Sequence, residues 1–171
     1  MTDRELIDQE LVEQARHLID LCRARKLKIA TAESCTGGLV AAALTEIAGS
    51  SDVFERGFVT YSDEAKQTML GVPSVTLADF GAVSRETAEA MAKGALALAP
   101  ASLAVSVTGI AGPAGAVPGK PVGLVHFAAV ARGGTLEHHQ RNYGDAGRTR
   151  VRRASVAQAL AMLQALAEKE V

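Results

Sequence analysis

Short segments, most of them rich in apolar residues, alternate along this chain with segments in which apolar residues recur every three or four positions. The first pattern predicts buried β-strands, and the second predicts amphipathic α-helices. The predicted helices cover residues 3–25, 37–49, 62–71, 84–98 and 149–168. The predicted strands cover residues 27–32, 53–61, 103–107, 122–131 and 136–143. This alternation indicates an α/β fold with a mostly parallel sheet, which the hairpin formed by the last two strands makes mixed.

The composition is typical of one soluble globular domain, expected to cover residues 1–171. Hydrophobic residues make up 48% of the chain and charged residues 22%, which suits a single core. The net charge of −1 gives no field that would attract nucleic acid. No apolar run reaches the roughly 18 residues of a membrane span. The polar N-terminus lacks the apolar segment of a secretory signal, and Cys22 and Cys35 are expected to be free thiols. We therefore expect a cytoplasmic protein with no membrane partner and no direct nucleic-acid partner.

Three polar clusters follow directly after predicted strands. They occupy residues 33–38, 61–66 and 108–115. Ligands of open α/β sheets bind outside the carboxyl ends of the strands. Because parallel strands bring those ends to one edge of the sheet, we expect the three clusters to form one site.

Glycine-rich turns form two of these clusters, within Thr31–Gly38 and Thr108–Gly115. Such turns leave backbone N–H groups and hydroxyls free to hold a phosphate or a polarised carbonyl. Neither turn has the Gly-Lys-Ser/Thr of a Walker loop or the glycine spacing of a dinucleotide-binding fingerprint. For the first turn, the residues alone support phosphate binding and simple turn geometry equally well.

The side chains considered for catalysis are those of Lys66, Ser51 and Cys35. Lys66 lies in the first turn of a helix, where the helix dipole disfavours its charge while Asp63 and Glu64 favour it. Its position alone favours a solvated surface lysine. Ser51 lies between a helix and a strand, where a turn or capping hydroxyl is the simpler interpretation. Cys35 is an alternative nucleophile, because a thiol at a helix N-terminus ionises more readily.

The histidines provide no metal site in this sequence. His126 lies in an apolar run typical of a buried strand. His138 and His139 are adjacent, so a strand points them to opposite faces. No set of residues has the spacing of metal ligands, and no metal or other cofactor is expected.

Together these segments resemble the CinA C-terminal domain family, which includes stand-alone nicotinamide mononucleotide deamidases. The resemblance covers nearly the whole chain and follows five motifs in order. They are Thr31-Ala-Glu-Ser-Cys-Thr-Gly-Gly38, Ile47-Ala-Gly-Ser-Ser51, Phe58-Val-Thr-Tyr-Ser-Asp-Glu-Ala-Lys66, Gly109-Ile-Ala-Gly-Pro113 and Lys120-Pro-Val-Gly123.

The resemblance implies a three-layer α/β/α sandwich that hydrolyses the carboxamide of nicotinamide mononucleotide without a metal or cofactor. It assigns Ser51 as the nucleophile, Lys66 as its general base and Tyr61 as a residue that relays or orients the proton. The residues implied to bind substrate are Ser34, Thr36, Gly37, Gly38, Thr108, Gly109, Gly112 and Arg148. A homo-oligomer is compatible with the Ala-rich helices.

Several alternatives stay open at this level. Members of the family that this chain resembles usually have an arginine directly after a Gly-Asp pair. Here Ala146-Gly147 separates Gly144-Asp145 from Arg148, so the arginine that serves the site could be Arg148, Arg150 or Arg152. A phosphate could bind at the Gly37–Gly38 helix start, in the loop at 109–115, or against an arginine. The alternative function is a non-catalytic nucleotide- or protein-binding module of a competence or DNA-damage system.

Overall fold

A single mixed β-sheet organises residues 6–170, the part of the chain that the computed structural model describes. The strands are β1 Ile29–Glu33, β2 Phe54–Val59, β3 Leu103–Gly109, β4 Leu124–Ala131 and β5 Leu136–Asn142. The helices are α1 Gln9–Arg25, α2 Leu39–Thr45, α3 Asp63–Leu70, α4 Ser74–Phe80, α5 Arg85–Leu98 and α6 Arg148–Lys169. A short 3-10 helix, Ser50–Asp52, precedes β2.

The strand order in the sheet is β2-β1-β3-β4-β5. β1 pairs in parallel with both β2 and β3, whereas β4 pairs antiparallel with β3 and with β5. Four of these five strands therefore run in the same direction. The prediction of an α/β fold with a mixed, mostly parallel sheet is confirmed.

Helices cover both faces of the sheet and give it three layers. One apolar core joins α1, α2 and α6 to the sheet, and a second joins α3, α4 and α5 to the opposite face. All residues of β1 are buried because both of its faces are covered. The three-layer α/β/α arrangement expected from the resemblance is therefore present.

Hydroxyl caps fix the starts of two helices close to their predicted positions. Ser62 accepts a hydrogen bond from Ala65 N at 3.0 Å, and Ser84 accepts one from Thr87 N at 3.1 Å. A serine at the N-cap satisfies a backbone donor that the first turn of a helix leaves unpaired. The cap at Ser62 sets the register of α3 and so the position of Lys66.

The elements differ from the prediction in three places. Helix α4 was not predicted, because its seven residues follow Pro73 without a clear apolar period. The predicted helix 37–49 ends earlier, and the 3-10 helix follows it. The predicted first helix begins at Gln9, since residues 6–8 are not helical, and residues 3–5 lie outside the described residues.

The histidines lie on the strands as predicted. His126 is buried, and its Nδ1 lies 2.9 Å from Nε2 of His138 on the face covered by α5. His139 faces α6 instead, where its Nδ1 lies 3.2 Å from Nε2 of Gln158. Burial lowers the pKa of His126 to about 4. Over residues 6–170, no group of three or more His, Cys, Asp or Glu side chains is placed to hold a metal ion.

None of the helices described between residues 6 and 170 combines the length and the apolar character needed to cross a membrane.

Candidate active site

A cavity of about 240 Å³ opens at the carboxyl ends of the parallel strands. All three predicted polar clusters contribute to its lining, as expected. Ser34 and Cys35 come from the turn after β1, and Tyr61 and Lys66 follow β2. The end of β3 and the loop after it supply residues 108–112 and 114–115. The site therefore lies where open α/β sheets bind ligands.

Lys66 lies at the bottom of this cavity with only 1% of its surface exposed. Its Nζ lies 3.1 Å from Oγ of Ser34 and 3.0 Å from the carbonyl oxygen of Thr60. Both partners are neutral oxygens, so burial lowers the pKa of Lys66, while the nearby Asp63 partly opposes this shift. The expectation of a solvated surface lysine, drawn from its position alone, is wrong.

Ser34 is held at the carboxyl end of β1 by the start of a tight turn. Its N–H donates to the carbonyl of Val107 at 2.9 Å, and its carbonyl accepts from the N–H of Gly37 at 2.9 Å. These backbone bonds fix the position of the side chain, whose hydroxyl faces the lysine amine.

Several backbone N–H groups around the cavity make no hydrogen bond to another described residue. They belong to Cys35, directly after Ser34, and to Ala111 and Gly112 in the loop after β3. Such N–H groups can stabilise a negative oxygen that develops during a reaction. In nucleophile elbows, the N–H after the nucleophile has this role.

Among the arginine candidates, Arg148 lines the cavity. Its Nη1 donates to the carbonyl of Gly112 at 3.0 Å, and its Nη2 donates to Oη of Tyr61 at 3.0 Å. Arg152 binds the first turn from outside the cavity, at the carbonyls of Cys35 and Thr36. Arg150 does not line the cavity.

Ser51 does not meet Lys66, and the predicted pairing of these two residues is corrected. Ser51 lies in the 3-10 helix before β2, and the start of β2 pairs with the start of β1. Lys66 lies beyond the other end of β2. Six strand residues at about 3.3 Å each separate the two edges by roughly 20 Å. Ser34, expected only to bind substrate, supplies the hydroxyl that contacts the lysine.

The start of α2 does not offer the phosphate site that the first turn suggested. The carboxylate of Glu33 accepts hydrogen bonds from the N–H groups of Val40 at 2.8 Å and Ala41 at 3.1 Å. Glu33 thus already supplies the negative charge that this helix end favours. Thr36, Gly37 and Gly38, which were expected to bind substrate, do not line the cavity.

The second turn contributes to the lining of the cavity. Thr108, Gly109 and Gly112 all line the cavity. The hydroxyl of Thr108 donates to the carbonyl of Ala82 at 2.7 Å, which ties the turn to the segment before α5. Ala82 and Val83 also line the cavity. Sequence reasoning missed them because small apolar residues between two helices carry no chemical signal.

Cys35 is poorly suited to act as a nucleophile. Its side chain is buried, and this burial raises the pKa of its thiol to about 12. The thiolate is the reactive form of cysteine, so very little of it is present at neutral pH. The alternative in which Cys35 attacks the substrate is therefore disfavoured.

Fold and site together define an α/β protein with a buried lysine beside a serine hydroxyl, at the position where enzymes of this architecture bind their substrates. The profile of the CinA C-terminal domain matches residues 11–167. The chain therefore belongs to the CinA C-terminal domain family.

The chain is similar to relatives that carry different names. An Escherichia coli protein named nicotinamide-nucleotide amidohydrolase PncC is 50% identical over 159 residues, which cover 92% of this chain and 95% of that protein. A putative competence-damage inducible protein of Caldicellulosiruptor bescii is 44% identical over 158 residues. This second match covers 92% of the present chain, which spans only 38% of the longer protein.

Solved structures show the same fold. The crystal structure of the competence/damage inducible protein CihA from Agrobacterium tumefaciens is similar, with a TM-score of 0.92 and 57% sequence identity. The match covers 93% of this chain and 96% of that one. A CinA superfamily protein from Klebsiella pneumoniae has a TM-score of 0.89 and 36% identity, and its match covers 95% of this chain and 100% of that one.

Proposed function

We propose that this chain hydrolyses the carboxamide of nicotinamide mononucleotide to give nicotinic acid mononucleotide and ammonia. The observation that carries the proposal is the 3.1 Å contact between Lys66 Nζ and Ser34 Oγ inside the cavity. The name of the E. coli relative, which is 50% identical over most of both chains, supports the substrate.

In the proposed reaction, Ser34 is the nucleophile and Lys66 is its general base. The carbonyl of Thr60 accepts one hydrogen of the neutral amine, which leaves the nitrogen lone pair available to the Ser34 hydroxyl. Lys66 takes the hydroxyl proton while Ser34 Oγ bonds to the carboxamide carbon. The same proton then passes to the leaving nitrogen, and ammonia departs. Lys66 then takes a proton from water as the water oxygen bonds to the ester carbon, and it returns this proton to Ser34 Oγ when the carbon–Oγ bond breaks.

A neutral lysine is the main electrostatic requirement of this scheme. Burial beside neutral oxygens lowers the pKa of Lys66, which enlarges the fraction able to accept a proton near neutral pH. A fully solvated lysine has a pKa near 10.4 and would be almost entirely protonated there.

The backbone N–H groups of Cys35 and Ala111 are the proposed donors to the oxyanion. Neither N–H donates to the backbone of another residue among residues 6–170, which leaves both available to the tetrahedral intermediate. Loss of one such donor typically costs on the order of 3 kcal/mol in transition-state stabilisation.

Arg148 and Tyr61 are proposed to bind and orient the substrate at the mouth of the cavity. Tyr61 is 62% exposed, and its hydroxyl accepts a hydrogen bond from Arg148. We place the nucleotide phosphate against Arg148 or the loop at 109–115, because Glu33 occupies the start of α2. We therefore propose that Tyr61 contacts the substrate rather than the Ser34–Lys66 pair.

The direct test is to incubate the purified chain with nicotinamide mononucleotide and to measure both products. Wild type should release ammonia and nicotinic acid mononucleotide in equal amounts, and Ser34→Ala should release neither. Nicotinamide riboside is the matched control substrate, since it keeps the carboxamide and lacks the phosphate. No product from the wild type would overturn the proposal.

The names of the longer relatives favour a second candidate, a nucleotide- or protein-binding module of a competence or damage response. This candidate predicts binding of nicotinamide mononucleotide, measured by calorimetry, without turnover. Ser34→Ala and Lys66→Met would then bind as the wild type does, with no product in any of the three proteins.

A further inference from the structure

We propose that Arg152 is a positioning residue that holds the Ser34 turn in its reactive geometry from outside the cavity. The inference rests on the proposed function, because it assigns Ser34 as the nucleophile. Arg152 lies one helical turn after Arg148 in α6 and does not line the cavity, so it acts through the turn rather than on the substrate.

The guanidinium of Arg152 binds two successive carbonyls of the turn. Its Nε donates to Cys35 O at 3.1 Å, and its Nη2 donates to Thr36 O at 3.3 Å. A planar guanidinium can hold two acceptors in a fixed relation, whereas a lysine ammonium is a point charge without this fork.

These contacts reach the reacting groups through two rigid peptide planes. The carbonyl of Thr36 shares a planar peptide unit with the N–H of Gly37. That N–H donates to Ser34 O at 2.9 Å, and Ser34 O shares the next planar unit with the N–H of Cys35. Arg152 therefore fixes the direction of the proposed oxyanion donor and the backbone that carries the nucleophile.

Other supports of the turn come from the strand–turn–helix segment, from β3 and from the segment after β2, where Thr60 N–H donates to Glu33 O at 2.8 Å. Glu33 binds the N–H groups of Val40 and Ala41, and Val107 accepts the N–H of Ser34. Arg152 adds two side-chain hydrogen bonds from α6. Since Arg148 binds the carbonyl of Gly112, successive turns of one helix hold both loops of the site.

A matched control is available at the neighbouring position. Arg153 also lies in the first turns of α6, but its guanidinium pairs with Asp8 and Glu10 at the start of α1. Arg153→Met should remove a comparable ion pair and lower the melting temperature without touching the Ser34 turn.

The experiment compares Arg152→Met, Arg152→Lys and Arg153→Met with the wild type in nicotinamide mononucleotide hydrolysis and in thermal melting. We expect kcat of Arg152→Met to fall about 10- to 100-fold with KM within about 3-fold, as expected when groups that act in the transition state are misplaced. Arg152→Lys should recover part of kcat, and Arg153→Met should keep kcat near the wild-type value. The pH profile of Arg152→Met should keep its apparent pKa, because Lys66 is left in place.

Three results would overturn the proposal. One is wild-type kcat in Arg152→Met. Another is a rise in KM at constant kcat, which would make Arg152 a substrate-binding residue. The third is an equal loss of kcat in Arg152→Met and Arg153→Met, which would attribute the loss to lower stability of the fold. If Arg152→Met does not fold, the same criteria apply to Arg152→Lys.

A second readout separates failure of this inference from failure of the proposed substrate. A fluorophosphonate reagent forms an Oγ–phosphorus bond with an activated serine and releases fluoride, while the hydroxyl proton passes to the base. Mass spectrometry of the labelled chain should place the adduct on Ser34, at least about 10-fold more slowly in Arg152→Met. Labelling at equal rates, or no labelling of wild-type Ser34, would overturn the positioning role even if nicotinamide mononucleotide proves to be the wrong substrate.

Discussion

The amine of Lys66 lies 3.1 Å from the hydroxyl of Ser34, although 32 positions separate the two residues in the chain. Parallel pairing of β1 with β2 creates this contact, because it brings the turn after β1 and the helix after β2 to the same edge of the sheet. Ser51 lies at the opposite, amino-terminal ends of these strands. The two serines therefore provide a clear test of where the chemistry occurs.

Replacement of Ser34 by alanine should abolish hydrolysis, whereas replacement of Ser51 should not. We expect Ser34→Ala to lower kcat by at least about 1000-fold, as loss of the nucleophile does in serine hydrolases. Ser51→Ala should stay within about 3-fold of the wild type, because Ser51 is exposed at the far edge. Ammonia release measures both variants. A larger loss in Ser51→Ala than in Ser34→Ala would assign the nucleophile to Ser51 and contradict the proposed pairing of Ser34 with Lys66.

Activity should rise with pH through the pKa of Lys66. The base must be neutral to act, and burial places its pKa below the ordinary value of 10.5. The apparent pKa on the acid limb of the kcat/KM profile should therefore lie below 10.5. An acid limb that persists unchanged in the residual activity of Lys66→Met would show that another group is titrating.

The lowered pKa of Lys66 also has a consequence for stability. Between the folded pKa and 10.5 the unfolded chain binds more protons than the folded chain, so the contribution of Lys66 to the free energy of unfolding increases with pH across this window. Below the folded pKa its unfavourable burial is fully present. The free energy of unfolding of Lys66→Met, taken relative to that of the wild type, should thus be highest at low pH and decrease as pH rises toward 10.5. Urea unfolding at several pH values measures this trend, and a pH-independent difference would contradict it.

The sequence predicted much of the fold because its local signals agree with one another. Serine caps at Ser62 and Ser84 start their helices, and the buried runs that become β1, β3 and β4 have few polar residues. The convergence of three polar clusters also followed from local pattern, since parallel strands present their carboxyl ends together.

Which serine hydroxyl contacts Lys66 could not be predicted in the same way. Ser34 and Ser51 both lie in turns, and the sheet register that separates them is a tertiary property. The first turn also resembled a phosphate site because the sequence does not show where the Glu33 side chain points. An acidic residue just before a glycine turn and a helix is a signal that could have indicated this cap.

Cys35→Ala should retain activity. The thiol lines the cavity, but burial raises its pKa to about 12, so it supplies little thiolate at neutral pH. We expect kcat/KM within about 3-fold of the wild type, since the backbone N–H of residue 35 is kept. Cys22→Ala is the matched control, because this second buried thiol lies in α1. A loss of 100-fold or more in Cys35→Ala alone would restore the thiol as a candidate nucleophile.

Tyr61 and Arg148 should act as one unit. Their side chains are joined by a 3.0 Å hydrogen bond at the mouth of the cavity. Tyr61→Phe and Arg148→Met should each raise KM more than they lower kcat, and the double variant should lose less than the sum of the single losses. Coupled neighbours typically show interaction energies of about 0.5–3 kcal/mol. The control cycle combines Tyr61→Phe with Arg153→Met and should be additive. Additivity in both cycles would contradict a joint role.

Gly94→Ala should destabilise the protein, against the usual effect of this exchange within a helix. Alanine is ordinarily favoured over glycine in a helix interior by about 1 kcal/mol. At position 94 of α5, however, an added Cβ would lie 2.0 Å from the carbonyl oxygen of Leu70, the last residue of α3. Since backbone must move to relieve such a contact, we expect a loss of about 1–3 kcal/mol in the free energy of unfolding.

Gly133→Ala is the matched control for this substitution. Gly133 lies in the turn between β4 and β5, and the nearest atom to an added Cβ there is a Glu170 carboxylate oxygen at 3.4 Å. Its free energy of unfolding, measured with urea, should stay within about 0.5 kcal/mol of the wild-type value. Equal stability of Gly94→Ala and the wild type would show that α3 and α5 can separate at no cost. The position of Lys66 on α3 would then depend on its buried side-chain contacts rather than on close packing between the two helices.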